Sequence, residues 1–489
     1  MALEPGTGPR HRALYAALRG LILSGRAGAG LRLPASRALA KDLALARNTV
    51  LAAYDQLAAE GYIEGRRGAG SFVSVDLPDI APPKPETSPE ISKQAAAKRG
   101  AAKPPRLSDR GAALAATIRP RGARHAAFSP GLPDYDAFPF DRWGRILART
   151  WRRPARDLFA QGDPAGFPPL RRAIADHLAA LRGVRCDPDQ VFVTGGSQQA
   201  VALAAQALCD PGDTVLVEEP GYPGSRGALR GAGLAIAPMP VDGEGMTLDQ
   251  TSSAAKRARM AVIAPSHQYP LGVTMSLARR LALLDWAGAQ DAWILEDDYD
   301  SEYRYAGRPL AALQGLDTRD RVVYLGSFSK VMFPSLRLAY LVAPPALIDA
   351  VRAVRMALDD HPSAIHQPAL AAFMEEGHFA SHIRKTRRLY AARQQALLAA
   401  ATRHLDGLLD LNPDEAGMHL VARLAPPLAA RMDDREAASR AARANLTAPS
   451  LSAFFHGKPT AQGLLLGYAA VAEEAMDGAV GRLAAALAT

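Results

Sequence analysis

The chain has 489 residues, 48% hydrophobic and 22% charged, enough for two or three domains with buried cores and too apolar for a disordered chain. Two cysteines, Cys186 and Cys209, exclude a disulfide-stapled scaffold and a four-thiolate centre, so no metal is expected; without a long apolar run or a signal-peptide pattern, no membrane is expected and the cytoplasm is the default location. The net charge of +9 is uneven, because residues 1–76 carry 10 Lys/Arg against 6 Asp/Glu, residues 77–124 carry 10 against 4, and the remainder nets −1. Such a basic first quarter on a neutral body points to a polyanion partner for that quarter alone.

Leu14, Leu18 and Leu21/Ile22 recur at helical spacing and predict a first helix ending near Gly25. Leu33-Pro34-Ala35-Ser36-Arg37 opens a second, with Pro34 near its first turn. A third begins at Arg47-Asn48-Thr49-Val50 and buries Val50, Tyr54, Leu57 and Ala58. Tyr62-Ile63 and Ser71-Phe72-Val73 then flank a Gly/Arg-rich tip, which predicts a hairpin. Short helices at a tight turn followed by a basic β-wing form a winged helix-turn-helix over residues 1–76. Arg47, Asn48 and Thr49 fall on the first turn of its recognition helix, where side chains reach base edges in the major groove. Arg can fork onto guanine and Asn onto adenine, while Thr takes a phosphate or a thymine methyl. Arg37 is placed for a phosphate, Arg66 belongs to the basic tip, and Gly70 lets the wing backbone approach a duplex. The string from Leu33 to Val73 resembles the winged helix of the GntR family, whose DNA-contact positions coincide with Arg37, Arg47, Asn48, Thr49 and Gly70. Ala46 stands where that family often carries a capping Ser.

Residues 77–124 are rich in Pro, Ala, Lys and Arg and read as an extended, semi-stiff basic linker, with room for a short helix near 91–98. From 125 onward, β-branched runs (Val191–Thr194, Thr214–Val217, Met260–Ala264, Trp293–Leu295, Val322–Leu325) alternate with amphipathic stretches, which predicts an α/β domain with a mostly parallel central sheet.

Chemistry-bearing residues gather at the carboxyl ends of these strands, where open α/β sheets bind ligands. Ser197 and Gln198 start a helix after a strand, offering backbone N–H groups to a phosphate. Asp297 and Tyr299 follow another strand; Ser327, Ser329, Lys330 and then Arg337 follow a third. A phosphate cradle, a carboxylate, a phenol, a lysine and a second phosphate cation are what pyridoxal 5'-phosphate requires. Lys330 would form the Schiff base, Asp297 would keep the pyridine nitrogen protonated and Tyr299 would bond the ring 3-hydroxyl. Arg337, Ser327, Ser329 and the amides of Ser197 and Gln198 would hold the phosphate, and Tyr222 would stack on the ring.

This constellation resembles the fold-type-I, aspartate aminotransferase-like enzymes over residues 125–489. Together with the winged helix, the strings EEPGY, PSHQYPLG, EDDYDSEYRY, GSFSK and HIRKTRRLY resemble the MocR/GabR subfamily of regulators. That resemblance implies a head-to-tail homodimer, operator DNA as partner, and response to pyridoxal phosphate itself or to its adduct with a small amino compound such as γ-aminobutyrate or taurine. The chain departs from it in three places. Leu465 stands where the enzymes carry an arginine that forks the substrate carboxylate, Arg226 lies further on than the basic residue after Pro-Gly-Tyr in GABA-responsive members, and Tyr269 replaces an Asn that contacts the 3-hydroxyl, a contact then expected from Gln268 or His267. The expected function is a regulator sensing pyridoxal phosphate, with vitamin B6 synthesis as its target. The alternative is a working aminotransferase with an appended DNA-binding domain.

Overall fold

The computed structural model describes residues 10–66, 69–77, 106–116, 126–307 and 310–488. The chain divides into two units, Met1–Arg106 and Leu107–Thr489. Among the described residues no helix is long and apolar enough to cross a membrane.

In the first unit, helices α1 (Arg10–Leu23), α2 (Ser36–Asp42) and α3 (Arg47–Ala59) precede an antiparallel hairpin of β1 (Ile63–Arg66) and β2 (Gly70–Val73). Leu14, Leu18 and Ile22 of α1 meet Leu39 of α2, Val50, Tyr54 and Leu57 of α3, and Val73 of β2 in one small core. One local expectation changes. Ala53, not Ala58, completes the buried stripe of α3, because the helix turns its 3/4-spaced face inward. Pro34 keeps its place near the first turn of α2, one residue before the cap, and its carbonyl accepts a hydrogen bond from the Tyr54 hydroxyl at 2.8 Å.

Most of the expected linker, including residues 91–98, lies outside the described residues. Within it, however, Asp109–Ala115 is helical rather than extended. Ser108 caps that turn by accepting from the Gly111 amide at 3.0 Å, no proline interrupts residues 106–118, and the helix packs on Pro223–Gly231.

The second unit is built on an eight-stranded sheet: β3 (Val191–Thr194), β4 (Thr214–Glu219), β5 (Ala235–Asp242), β6 (Gly245–Met246), β7 (Ala258–Ile263), β8 (Trp293–Asp298), β9 (Val322–Ser327) and β10 (Ala339–Val342). Their spatial order is β3-β10-β9-β8-β7-β4-β5-β6, with β9, β8, β7, β4 and β5 parallel and β10 antiparallel to both neighbours. The strands read as continuous apolar runs because both faces are covered. Val215, Val217, Leu295 and Val323 pack with the helix Ser197–Leu208 on one side, while Leu216, Ile294 and Val322 pack with Leu277–Ala289 on the other. A second sheet of β11 (Leu409–Leu411), β12 (His419–Leu424) and β13 (Gly463–Gly467) is antiparallel and shares a core with the 27-residue helix His378–His404.

Candidate functional site

On the first unit, Arg37, Arg47 and Asn48 are exposed and Thr49 is partly so. Among the described residues, Arg37 and Arg47 make no ion pair, so both charges remain available at the starts of α2 and α3. Ala46 caps α3 without a side-chain hydrogen bond. Arg66 is less available: it pairs with Glu64 at 2.6 Å and lies 4.7 Å from the Phe72 ring centre. Gly70 takes φ +107°, a backbone conformation that L side chains rarely adopt.

On the second unit, the carboxyl ends of β4, β7, β8 and β9 open into a cavity of about 380 Å³. Its wall brings together Ser197, Gln198, Tyr222, Asp297, Tyr299, Ser327, Ser329, Lys330 and Arg337, nine candidates drawn from segments 140 residues apart. Lys330 is held by its Nζ donating to the Gly131 carbonyl at 2.9 Å, and burial pushes its pKa down against the pull of Asp300 and Asp297. Burial, then repulsion from Asp298 and Asp300, raises the Asp297 carboxyl to about 7, with Lys330 opposing. Its Oδ1 is buried without a hydrogen-bond partner among the described residues, an orphan acceptor that calls for a donor in the cavity.

The phosphate end is equally specific. Gly196, at φ +137°, brings the start of the helix Ser197–Leu208 so close to Arg337 that a β-carbon there would lie 2.9 Å from Nη2. A guanidinium packed on open helix amides makes an anion cradle. Ser327 faces the same region, its Oγ accepting from the Ser329 amide at 3.2 Å. Tyr222 caps Pro223–Gly231 and stands 41% exposed, edge-on to Tyr269 with ring centres 5.8 Å apart.

The acidic run at the end of β8, Glu296 to Asp300, divides four ways. Glu296 accepts from the Leu313 and Gln314 amides at 2.8 and 2.9 Å, capping the next helix. Asp297 faces the cavity. Asp298 accepts from Arg182 Nε at 2.8 Å and from the Tyr324 hydroxyl at 2.5 Å, so it anchors the strand end. Asp300 pairs with His267 Nδ1 at 3.1 Å.

Two expected cofactor contacts do not line the cavity. Gln268 turns away: its Nε2 donates to the Pro220 and Tyr269 carbonyls, both at 2.8 Å, and its Oε1 accepts from the Leu271 amide at 3.1 Å, which closes the local turn. His267 sits one layer behind, its Nδ1 2.9 Å from the Tyr299 hydroxyl and its Nε2 3.3 Å from Asp414. Burial works against its charge, but Asp300 and Asp414 outweigh that and raise its pKa to about 10. As a cation it has one Nδ1 hydrogen, which lies between the Asp300 carboxylate at 3.1 Å and the Tyr299 oxygen at 2.9 Å. Gly417, at φ +92°, permits this enclosure, since any β-carbon there would collide with the His267 ring.

Sequence reasoning assigned no role to Glu218, Ser225 or His419, all on the wall. Glu218 is the next-to-last residue of β4, so the strand-end rule could have found it; burial raises its carboxyl to about 8, and Oε1 has no partner among the described residues. His419 belongs to the second sheet and carried no local signal. Its Nε2 donates to the Pro270 carbonyl at 2.9 Å, and burial followed by the nearby His267 charge lowers its pKa to about 4. Tyr269 itself lines the cavity. Arg226 does too, but donates to the Gly221 and Phe454 carbonyls at 3.0 and 2.6 Å. Leu465 is fully buried beside Leu451 and Phe454.

Residues 10–73 match the bacterial regulatory proteins of the gntR family, and residues 129–454 match aminotransferase class I and II. The chain is 42% identical to the probable rhizopine catabolism regulatory protein MocR of Rhizobium meliloti, over 98% of this chain and 94% of that protein. It is 31% identical to the pyridoxine biosynthesis transcriptional regulator PdxR of Corynebacterium glutamicum, over 94% of this chain and 92% of that one. Among solved structures, the kynurenine aminotransferase of Pyrococcus horikoshii superposes with a TM-score of 0.68 at 26% identity, covering 81% of this chain and 98% of that enzyme.

Proposed function

Because the chain belongs to the MocR-type regulators, in which a GntR-type winged helix is joined to an aminotransferase class I domain, we propose that it binds operator DNA through the first unit and senses pyridoxal 5'-phosphate, alone or with a small amino compound, through the second. The observation that carries this reading is the convergence of Lys330, Asp297, Tyr299 and Arg337 on one cavity. The residues present fit the cofactor. Lys330, its amine made easier to deprotonate by burial, is the attachment point. Asp297 Oδ1, without a partner among the described residues, would accept from a protonated ring nitrogen. Tyr299, backed by His267, donates to the ring 3-hydroxyl oxygen. Arg337, Ser327, Ser329 and the amides of Ser197 and Gln198 take the phosphate, while Tyr222 covers a ring face. When bound, the cofactor supplies an aldehyde that condenses with primary amines and a ring that withdraws electrons.

On the DNA side, Arg47, Asn48 and Thr49 read bases, Arg37 holds a phosphate, and Arg66 and Gly70 bring the wing to the backbone. We take 1–76 as the DNA-binding domain, 77–124 as the linker and 125–489 as the effector domain, working in the cytoplasm as a head-to-tail homodimer. Exposed Phe159, Met356, Leu358 and Ile365 favour self-association of the second unit. The pyridoxine-biosynthesis regulator among the relatives supports vitamin B6 synthesis as the controlled process.

The second reading, an active aminotransferase, is favoured by the likeness to solved enzymes; the buried Leu465 weighs against it, since leucine cannot pair with a substrate carboxylate. Borohydride treatment of cofactor-loaded protein followed by peptide mass spectrometry should place the cofactor mass on Lys330, and Lys330→Ala should lose both that mass and the visible absorbance. An unmodified Lys330 would overturn the sensing site. Footprinting with and without pyridoxal phosphate reads the regulatory output, and sustained keto-acid turnover would favour the enzyme.

A further inference from the structure

The phosphate end of the cavity is built on two consecutive glycines, Gly195 and Gly196, between β3 and the helix Ser197–Leu208. Glycine gives the chain its loosest backbone, yet an anion site needs its amides aimed before the anion binds. The bracing comes from the helix Ile348–Asp359, none of whose residues lines the cavity. Its last residue, Asp359, accepts from Gln199 Nε2 at 2.7 Å, and Gln199 Oε1 accepts from the Gly195 amide. An N–H on one side and a carboxylate on the other leave the Gln199 amide one way to face. A turn earlier on the same helix, Arg355 Nε lies 3.2 Å from Asp359, and its Nη2 donates to the Val193 carbonyl at 3.4 Å. These side chains therefore grip the backbone at Val193 and at Gly195, and Gln199 ties the grip to the first turn of the helix that follows. Arg355 is buried, and Asp359 is the carboxylate that opposes its desolvation. Asp359 itself stands at the carboxyl end of its helix, where a negative charge opposes the helix dipole, so its own helix gives no reason for it.

We propose that Asp359 is a positioning residue for the cofactor phosphate: acting through Gln199, it holds the Gly195–Gly196 turn with its amides aimed at the anion and does not touch the cofactor. This inference rests on the cofactor reading above. Because the clamp acts at the phosphate end alone, its loss spares the contacts that Lys330, Asp297 and Tyr299 offer to the ring.

The test is the affinity of full-length protein, freed of cofactor, for pyridoxal 5'-phosphate and for pyridoxal, which lacks only the phosphate. Asp359→Ala should weaken pyridoxal phosphate about three- to tenfold, as for the loss of one hydrogen bond, and leave pyridoxal within about twofold of its wild-type affinity. Inorganic phosphate, read as a competitor of pyridoxal phosphate, should weaken by the same factor as pyridoxal phosphate. Gln199→Met should repeat this pattern, and the double variant should lose no more than the larger single loss, because the two side chains act in series. Equal losses for pyridoxal and pyridoxal phosphate, no loss for pyridoxal phosphate, an unchanged inorganic phosphate affinity or additive losses in the double variant overturn the proposal while the cofactor reading stands. Failure of the wild-type protein to bind pyridoxal phosphate overturns the cofactor reading and this proposal with it.

Discussion

The two candidate sites solve opposite physical problems. On the winged helix, Arg37 and Arg47 stand in water without ion-pair partners among the described residues, on a scaffold whose core is a single small cluster. In the second unit, Lys330, Asp297, Glu218, His267 and His419 are withdrawn from water and hold one another at displaced pKa values. A duplex is a long polyanion that pays for recognition by releasing counterions, so its reader needs free surface charge and little else. A small phosphorylated ring needs donors and acceptors already desolvated and aimed, a cost that only a large surrounding fold can carry. Function is therefore cheap to place on the first unit and structurally expensive on the second.

That contrast can be broken most forcefully at the buried end. Asp298→Ala strands the Arg182 guanidinium and the Tyr324 hydroxyl, and should cost about 3–5 kcal/mol of second-unit stability in urea unfolding. Hydrogen exchange should show the loss confined to the second unit, with residues 10–73 unchanged; a loss in both would show that the two regions are not energetically separate. Next comes pH. Glu218 has its folded pKa raised from 4.5 to about 8, so its contribution is full below the unfolded value and fades as pH rises through the folded one. Cofactor-free protein should lose stability across that window, and Glu218→Gln should remain flatter across it; parallel curves would refute a buried acid there.

At the exposed end the effects should be smaller. Arg47→Ala should cost about 1–3 kcal/mol of operator affinity and relax one base preference, with no change in melting temperature. An unchanged footprint would remove Arg47 from the groove. Smallest of all, Ala46→Ser would supply the missing side-chain cap of α3 and should stabilise the first unit by about 1 kcal/mol, read as a rise in its unfolding midpoint. A fall would mean that the hydroxyl finds no amide of the first turn.

Legibility followed the same division. α1–α3 and the wing came through because helical and alternating periods are local, and the nine residues could be picked out as sharing one cavity because each lies at or soon after the carboxyl end of a strand. The departures have a common cause. β10 runs antiparallel between β3 and β9, which strand composition does not encode. Gln268 and His267 lie beside the cavity and do not line it: Gln268 is turned onto backbone carbonyls and His267 stands behind Tyr299. His419 reaches the cavity from a different sheet.

By itself, the sequence determined the three helices and the hairpin of the first unit and five strands of the central sheet, which end of the chain carries the excess charge, and which side chains offer an amine, a carboxylate or a phenol, because covalent chemistry and short-range periodicity need no partner. Only the tertiary structure decided how the four acids at the end of β8 divide their work, why Glu218 and Asp297 resist ionisation, and that Leu465 is buried against Leu451 and Phe454. Those properties belong to desolvation and to neighbours distant in the chain, and neither exists until the layers have packed.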